Sequence, residues 1–290
     1  MGSTRALFAV AVAALAFAWS GPLARLASPA HPLVIAAGRC ALAALMLGAL
    51  RPRALLRELS SAPPLALGLA LAAGALLALH FGFFLVGLSR TSLPAAVTLV
   101  SLEPVAVVLT AWAWHRVRPA RGEALGVALA TAGAVIVARG AGGGRHTLAG
   151  DLLVVAAVAL YGLYLGAARA AARELSPLSY VTLVYALAAA ALGVACLAVD
   201  ASVSAVPARS WAMIGLLALG PTLVGHSLVQ WASRAGVSPS IVALVSPGET
   251  LGSLVIGAAW LGEAPSGAEA LGAAVALTGV VVTARGARAG

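Results

Sequence analysis

The chain has 290 residues, is 62% hydrophobic and only 9% charged, and carries a net charge of +9 with a mean hydropathy of +1.03. Soluble domains hold about a quarter charged residues, so the composition excludes an ordinary soluble domain and places the chain in a lipid bilayer. All 18 basic residues are arginines, and all but one lie on short connections and tails, which reads as a membrane-topology signal and excludes a nucleic-acid partner.

A bilayer core takes about 20 apolar residues per helix, and ten candidate spans follow: 6–26, 32–50, 63–88, 93–114, 122–139, 150–170, 178–198, 211–232, 240–261 and 267–284. The first opens like a secretory signal, Arg5 followed by ALFAVAVAALAFA, but its apolar run continues through Trp19 and is read as a span. Pro22, after Ser20-Gly21, is a candidate hinge in it. Span two holds a lone charge, Arg39, which would pair with an intramembrane acid or present its fork to a substrate carboxylate or phosphate. Span three carries His80, and span four carries Glu103 directly before Pro104. Span five has no internal charge and a stripe at Gly126 and Gly133, suited to close helix contact in a scaffold or between subunits.

The glycine-rich stretch 140–149 (AGGGRHTLAG) reads as a linker between residues 1–139 and 150–290. Beyond it, spans six and seven contribute Tyr161, Tyr164 and Tyr185, which with Trp19 are candidates for lining a cavity, anchoring being the competing role. Span eight has a second hinge candidate, Pro221, then His226 with Gln230 one turn later. Span nine carries Pro247 and Glu249. Span ten repeats the small stripe at Gly272 and Gly279 and opens on a capping box, Ser266 to Glu269. Cys40 and Cys196, far apart in apolar runs, suit packing rather than a disulfide or metal site.

The chain repeats itself. A shift of 146 positions pairs His80 with His226, Glu103 with Glu249, Trp114 with Trp260, Pro119 with Pro265 and Glu123 with Glu269. Five spans per half forces the second copy upside down, which predicts an all-α membrane protein of ten helices in two inverted five-helix repeats. Such repeats around a midplane site are the architecture of many secondary transporters. One set of loops and tails holds twelve arginines against five on the alternate set, which places both termini in the cytoplasm.

The stretch LHFGFFLVGLSRTSLPAAVTLVSLEPV, and its partner GHSLVQWASRAGVSPSIVALVSPGETL followed by AWLGE, resemble the ten-helix EamA-type branch of the drug/metabolite transporter superfamily. Arg39 and the GDLL opening of span six are similar to that family too. The resemblance implies a transporter of small molecules. Two departures stand out: Trp114-His115-Arg116 replaces the Gly-Glu common at the end of the fourth helix, and Thr250 replaces a proline after the second acid.

An ionisable group near a helix centre costs roughly 2.5–3.5 kcal/mol on insertion scales and usually faces an interior cavity. Glu103 and Glu249 are therefore read as protonatable or cation-binding groups, the competing role being an acid pinned between helices. His80 and His226 could relay protons to them or simply pack. Pro104 and Pro247 cannot donate to Val100 and Ala243, so both helices should kink beside their acid. No phosphate-binding loop, zinc motif or nucleophile elbow appears, so neither a cofactor nor a metal is expected.

The expected function is secondary active transport of a small metabolite, amino acid or drug-like molecule, with protons as coupling ion, across a bacterial-type inner membrane. A monomer or homodimer would suffice. An uncoupled facilitator or exchanger is the alternative, and an intramembrane enzyme on a lipid-linked substrate a more remote one.

Overall fold

A computed structural model describes residues 2–116, 118–140, 145–171, 175–229 and 245–286. Those residues are helical throughout, without a strand. The helices are α1 (Gly2–Ala18), α2 (Ser20–Leu26), α3 (Pro32–Leu50), α4 (Pro52–Ser61), α5 (Pro64–Arg90), α6 (Leu93–Val100) and α7 (Glu103–His115). After them come α8 (Arg121–Arg139), α9 (Leu148–Ala171), α10 (Pro177–Ala198), α11 (Ala208–Leu217), α12 (Val245–Ile256) and α13 (Gly267–Gly286). Two π-helical stretches, Ala218–Gly225 and Gly257–Leu261, continue α11 and α12.

Among the described residues eight helices are long and apolar enough to cross a membrane, at the places of predicted spans one to five, seven, eight and ten. At span six the apolar stretch Leu148–Tyr164 is shorter, and at span nine the described helix begins at Val245. Residues 240–244 of that span, 141–144 of the predicted linker, and Gln230 lie outside the described residues.

Helix starts follow local chemistry. Pro32, Pro64, Leu93-Pro94 and Pro177 open their helices in the first turn, where a missing N–H costs nothing. The Ser92 hydroxyl caps α6 by accepting from Ala95 N–H, and the Ser176 hydroxyl caps α10 in the same way. Helix α4 lies in what reads from sequence as a loop. It buries none of its residues, and its short PRALLRELSS pattern is too polar to register as a span. Glu58 on α4 accepts from Ser176 N–H at 3.2 Å, and hydrogen bonds from Ser176 and Ser179 hold its carboxyl below the usual range.

Proline breaks the spans, and hydroxyls from elsewhere satisfy the orphaned backbone. Span one stops at Trp19, because Pro22 cannot donate to the Ala18 carbonyl; Ser253 donates to it instead, at 2.7 Å. Pro221 cannot donate to the Leu217 carbonyl, and the helix widens there to a π turn, in which that carbonyl also accepts from the Thr222 hydroxyl at 2.9 Å. The expected kink at Pro104 is a full break. Helix α6 ends at Val100 and α7 begins at Glu103, leaving Pro104 in the first turn of a new helix. Across that break the Ser246 hydroxyl faces the Ser101 carbonyl at 3.3 Å, and the Thr250 hydroxyl lies 3.3 Å from that of Val97. Thr250 thus supplies a donor where its counterpart Pro104 removes one. Pro247 sits near the start of the described part of span nine, and its partner Ala243 lies outside the described residues.

Helix contacts repeat under exchange of the two halves. Helix α5 packs on α9 and α10, while α11 and its π continuation pack on α1, α2 and α3. Helix α7 packs on α9 as α12 packs on α1. Helix α3 faces its own counterpart α10, and α8 faces α13. The last pair meets backbone to backbone: a Cβ on Gly133 would lie 2.4 Å from Ala276 N, and one on Gly126 would lie 2.3 Å from Thr283 N. The small-residue stripes of spans five and ten are therefore used within the chain, as scaffold.

Candidate functional site

The breaks converge on a cavity of about 300 Å³. Spans one, two, three, four, six, eight and nine all reach it, drawing on both halves. Of the residues singled out in the sequence, Glu103, Glu249, His80, His226, Arg39 and Tyr161 line it. The hinge candidate Pro104 lines it as well, while Pro22 and Pro221 are buried beside the breaks they cause. Trp19, Tyr164 and Tyr185 are not among its lining. Trp19 packs edge-on against Trp260 with centroids 5.8 Å apart, joining the break of span one to the π turn of span nine. Tyr164 packs against Tyr161, and Tyr185 is buried in the core.

Glu103 and Glu249 are each half-buried and face this common space. Glu103 stands in the first turn of α7, where the helix N-terminus favours a negative charge. Among the described residues neither acid has an ion pair within 4.0 Å.

Among the described residues no hydrogen bond or ion pair joins either histidine to Glu103 or Glu249. His80 Nδ1 donates to the Ala157 carbonyl at 2.8 Å, which leaves Nε2 as the acceptor of the neutral ring. Its ring centroid lies 5.0 Å from that of Tyr161. His226 meets the edge of Phe17 at 4.9 Å. A relay from histidine to glutamate would therefore need water or substrate between them.

Arg39 is only 2% exposed. Its Nη2 and Nε donate to the Thr222 hydroxyl at 2.8 and 3.2 Å, and its guanidinium sits 4.2 Å from the Phe81 ring centroid. Among the described residues no carboxylate lies within ion-pair distance of it, so the fork faces the cavity without a fixed counter-charge. Pro221 sets this arrangement. Because the Thr222 proton goes to the Leu217 carbonyl, its oxygen lone pairs are left for Arg39.

Thr222 escaped the sequence reading, although asking what satisfies Leu217 after Pro221 would have pointed to the next hydroxyl. Thr222→Val should remove all three bonds of the hydroxyl at constant shape and destabilise the protein by about 1.5–3 kcal/mol, the usual worth of a hydrogen bond to a charge. Combined with Arg39→Lys it should lose less than the sum of the single losses. Thermal unfolding of the four proteins in detergent checks this, and strict additivity would remove the coupling.

A second cluster closes one end of the bundle. All four ion pairs among the described residues lie there. Arg25, at the end of span one, pairs with Glu263 through Nε at 3.0 Å and donates to the Leu88 carbonyl at 2.6 Å. Glu263 also accepts from Leu93 N–H at 2.9 Å and lies 3.8 Å from Arg145. Beside it, His146 bridges Asp151 at 2.8 Å and Glu269 at 3.3 Å, while Thr91 and Ser92 donate to the same two acids. Glu269 keeps its predicted capping bonds with Ser266 as well. Directly beneath, the Leu93 side chain wedges between spans one and nine, and a Cβ on either Gly21 or Gly257 would meet it at 2.6 Å.

A family model described as the EamA-like transporter family matches residues 4–139 and, a second time, residues 148–285. The chain belongs to the EamA-like transporter family. It is accordingly a multi-pass membrane transporter of the drug/metabolite type built from two repeats. A solved crystal structure of a protein with 20% identity superposes with a TM-score of 0.65, covering 96% of each chain, so the transporter shares its fold. No curated protein matches the sequence.

Proposed function

We propose that the transporter is a secondary carrier that moves a small metabolite through the central cavity by alternating access, coupled to protons at Glu103 and Glu249. In this reading ten spans form two inverted halves, 1–139 and 150–290, joined by the linker 140–149, with both termini in the cytoplasm of a bacterial-type inner membrane. The observation that carries it is the pair of repeat-related glutamates facing one cavity, beside broken helices of the first half and a π-widened helix of the second. Arg39 would receive an anionic group of the substrate, and the aromatic rings of Phe17, Phe81 and Tyr161 would hold its apolar body.

The test is flux in proteoliposomes. An imposed pH gradient should drive saturable uptake of a substrate found by ligand-induced thermal shift. Identical flux with and without the gradient would remove the coupling and leave a facilitator.

The arginine distribution assigns the closed end, with Arg25, Glu263 and His146, to the outside. Glu263→Gln should then unlatch it. Breaking a buried pair costs roughly 3–5 kcal/mol, and Glu263, with its side chain 19% exposed, should lose somewhat less. With Cys40 and Cys196 replaced by Ala, a cysteine introduced by Ser20→Cys should react several-fold faster with an impermeant thiol reagent added outside when Glu263→Gln is present. Unchanged reactivity would show that the cluster is not a gate.

A further inference from the structure

A second, larger space of about 700 Å³ lies on the far side of α7 from the cavity, between α7, α8 and α9. Leu102, Val105, Ala106, Leu109 and Ala113 form one wall, at the spacing of a single helical face. Ala134 of α8 and Val155, Val158 and Leu163 of α9 form the other. The lining is almost wholly apolar until its end, where it meets the exposed guanidinium of Arg116. From Leu102 to Arg116 a helix rises about 21 Å at 1.5 Å per residue. That reaches from near the bilayer midplane to the headgroups, since the hydrocarbon core is about 30 Å thick.

Arg116 has an unusual backbone. Its φ is +58°, the left-handed conformation that ends a helix and that glycine adopts without cost. The counterpart at a shift of 146 is Gly262, with φ +68°. The same helix ending thus occurs in both repeats, glycine serves it in one, and the other keeps a strained arginine at the mouth of an apolar slot. Arg118 and Arg121, both exposed, follow on the same connection.

We propose that the slot holds an anionic phospholipid from the leaflet at this end, with its phosphate on Arg116 and an acyl chain along α7. Charge complementarity and leaflet-length lining select this occupant over a soluble ligand. The lipid would buttress the half-helix that carries Glu103.

The full-length protein in mild detergent provides the test, by native mass spectrometry and thermal unfolding with added phosphatidylglycerol or phosphatidylcholine of matched chains. Phosphatidylglycerol should bind in greater number and raise the melting temperature more. Arg116→Gly should melt no lower without lipid, because its backbone is relieved, and should lose the excess shift with phosphatidylglycerol. Ala134→Leu, which fills the slot, should weaken the response to both lipids. Equal shifts by the two lipids, an excess surviving in Arg116→Gly, a lower lipid-free melting temperature for that variant, or an undiminished response of Ala134→Leu would each overturn the proposal.

Discussion

Replacing Glu103 and Glu249 with glutamine should abolish gradient-driven accumulation while leaving substrate exchange intact. If each acid carries one proton, one pH unit supports about tenfold accumulation per acid, since one unit of proton free energy is about 1.4 kcal/mol. The wild type should then approach roughly 100-fold at a gradient of one unit, either single variant about tenfold, and the double variant none. Counterflow, which needs no net proton movement, should persist in all of them. Glutamine keeps the shape and a hydrogen-bonding end, and it spares the cost of a charge inside the bundle. The double variant should therefore melt no lower than the wild type, whereas acids that merely pinned helices together would reveal themselves by a fall. Accumulation that survives the double substitution would end the proton assignment.

A large loss of stability should also come from the scaffold pair, away from the cavity. Gly133→Leu forces a side chain into the Ala276 backbone, with Ala276 N only 2.4 Å from the new Cβ and Ala276 Cα at 2.7 Å. Overpacking typically costs about 1–3 kcal/mol, and here the obstruction is backbone, which cannot rotate aside. A melting temperature lower by roughly 10 °C, or failure to recover folded protein, is expected at the upper end of that range. Gly193 supplies the contrast, because a Cβ there meets nothing within 4 Å. Gly193→Ala should be neutral or mildly stabilising, as alanine is the better helix former. Equal losses at the two positions would mean that α8 and α13 do not pack closely in the membrane.

The repeat and the weak points of its helices are legible in the sequence, for a physical reason. Charged, histidine and tryptophan residues are scarce in a lipid-embedded chain, so His80 with His226 and Glu103 with Glu249 stand out at a common shift. Prolines in apolar runs mark where a helix loses a hydrogen bond, and Pro22, Pro104 and Pro221 each lie at a break or a widened turn. Pattern alone overstated the aromatic residues, because Trp19, Tyr164 and Tyr185 look the same whether they face a cavity or a neighbouring helix. It also missed α4, whose polar sequence gives no span signal, and the ion-pair cluster, whose partners Arg25 and Glu263 are 238 residues apart.

Composition and periodicity by themselves determined a bilayer protein of duplicated helices with two costly acids, because transfer into lipid penalises each polar residue individually. Only the tertiary structure decided which polar groups meet. Pairing depends on which helix faces which: among the described residues it gave Arg39 a hydroxyl rather than a carboxylate, closed one end with four ion pairs, and turned both glutamates toward a single space.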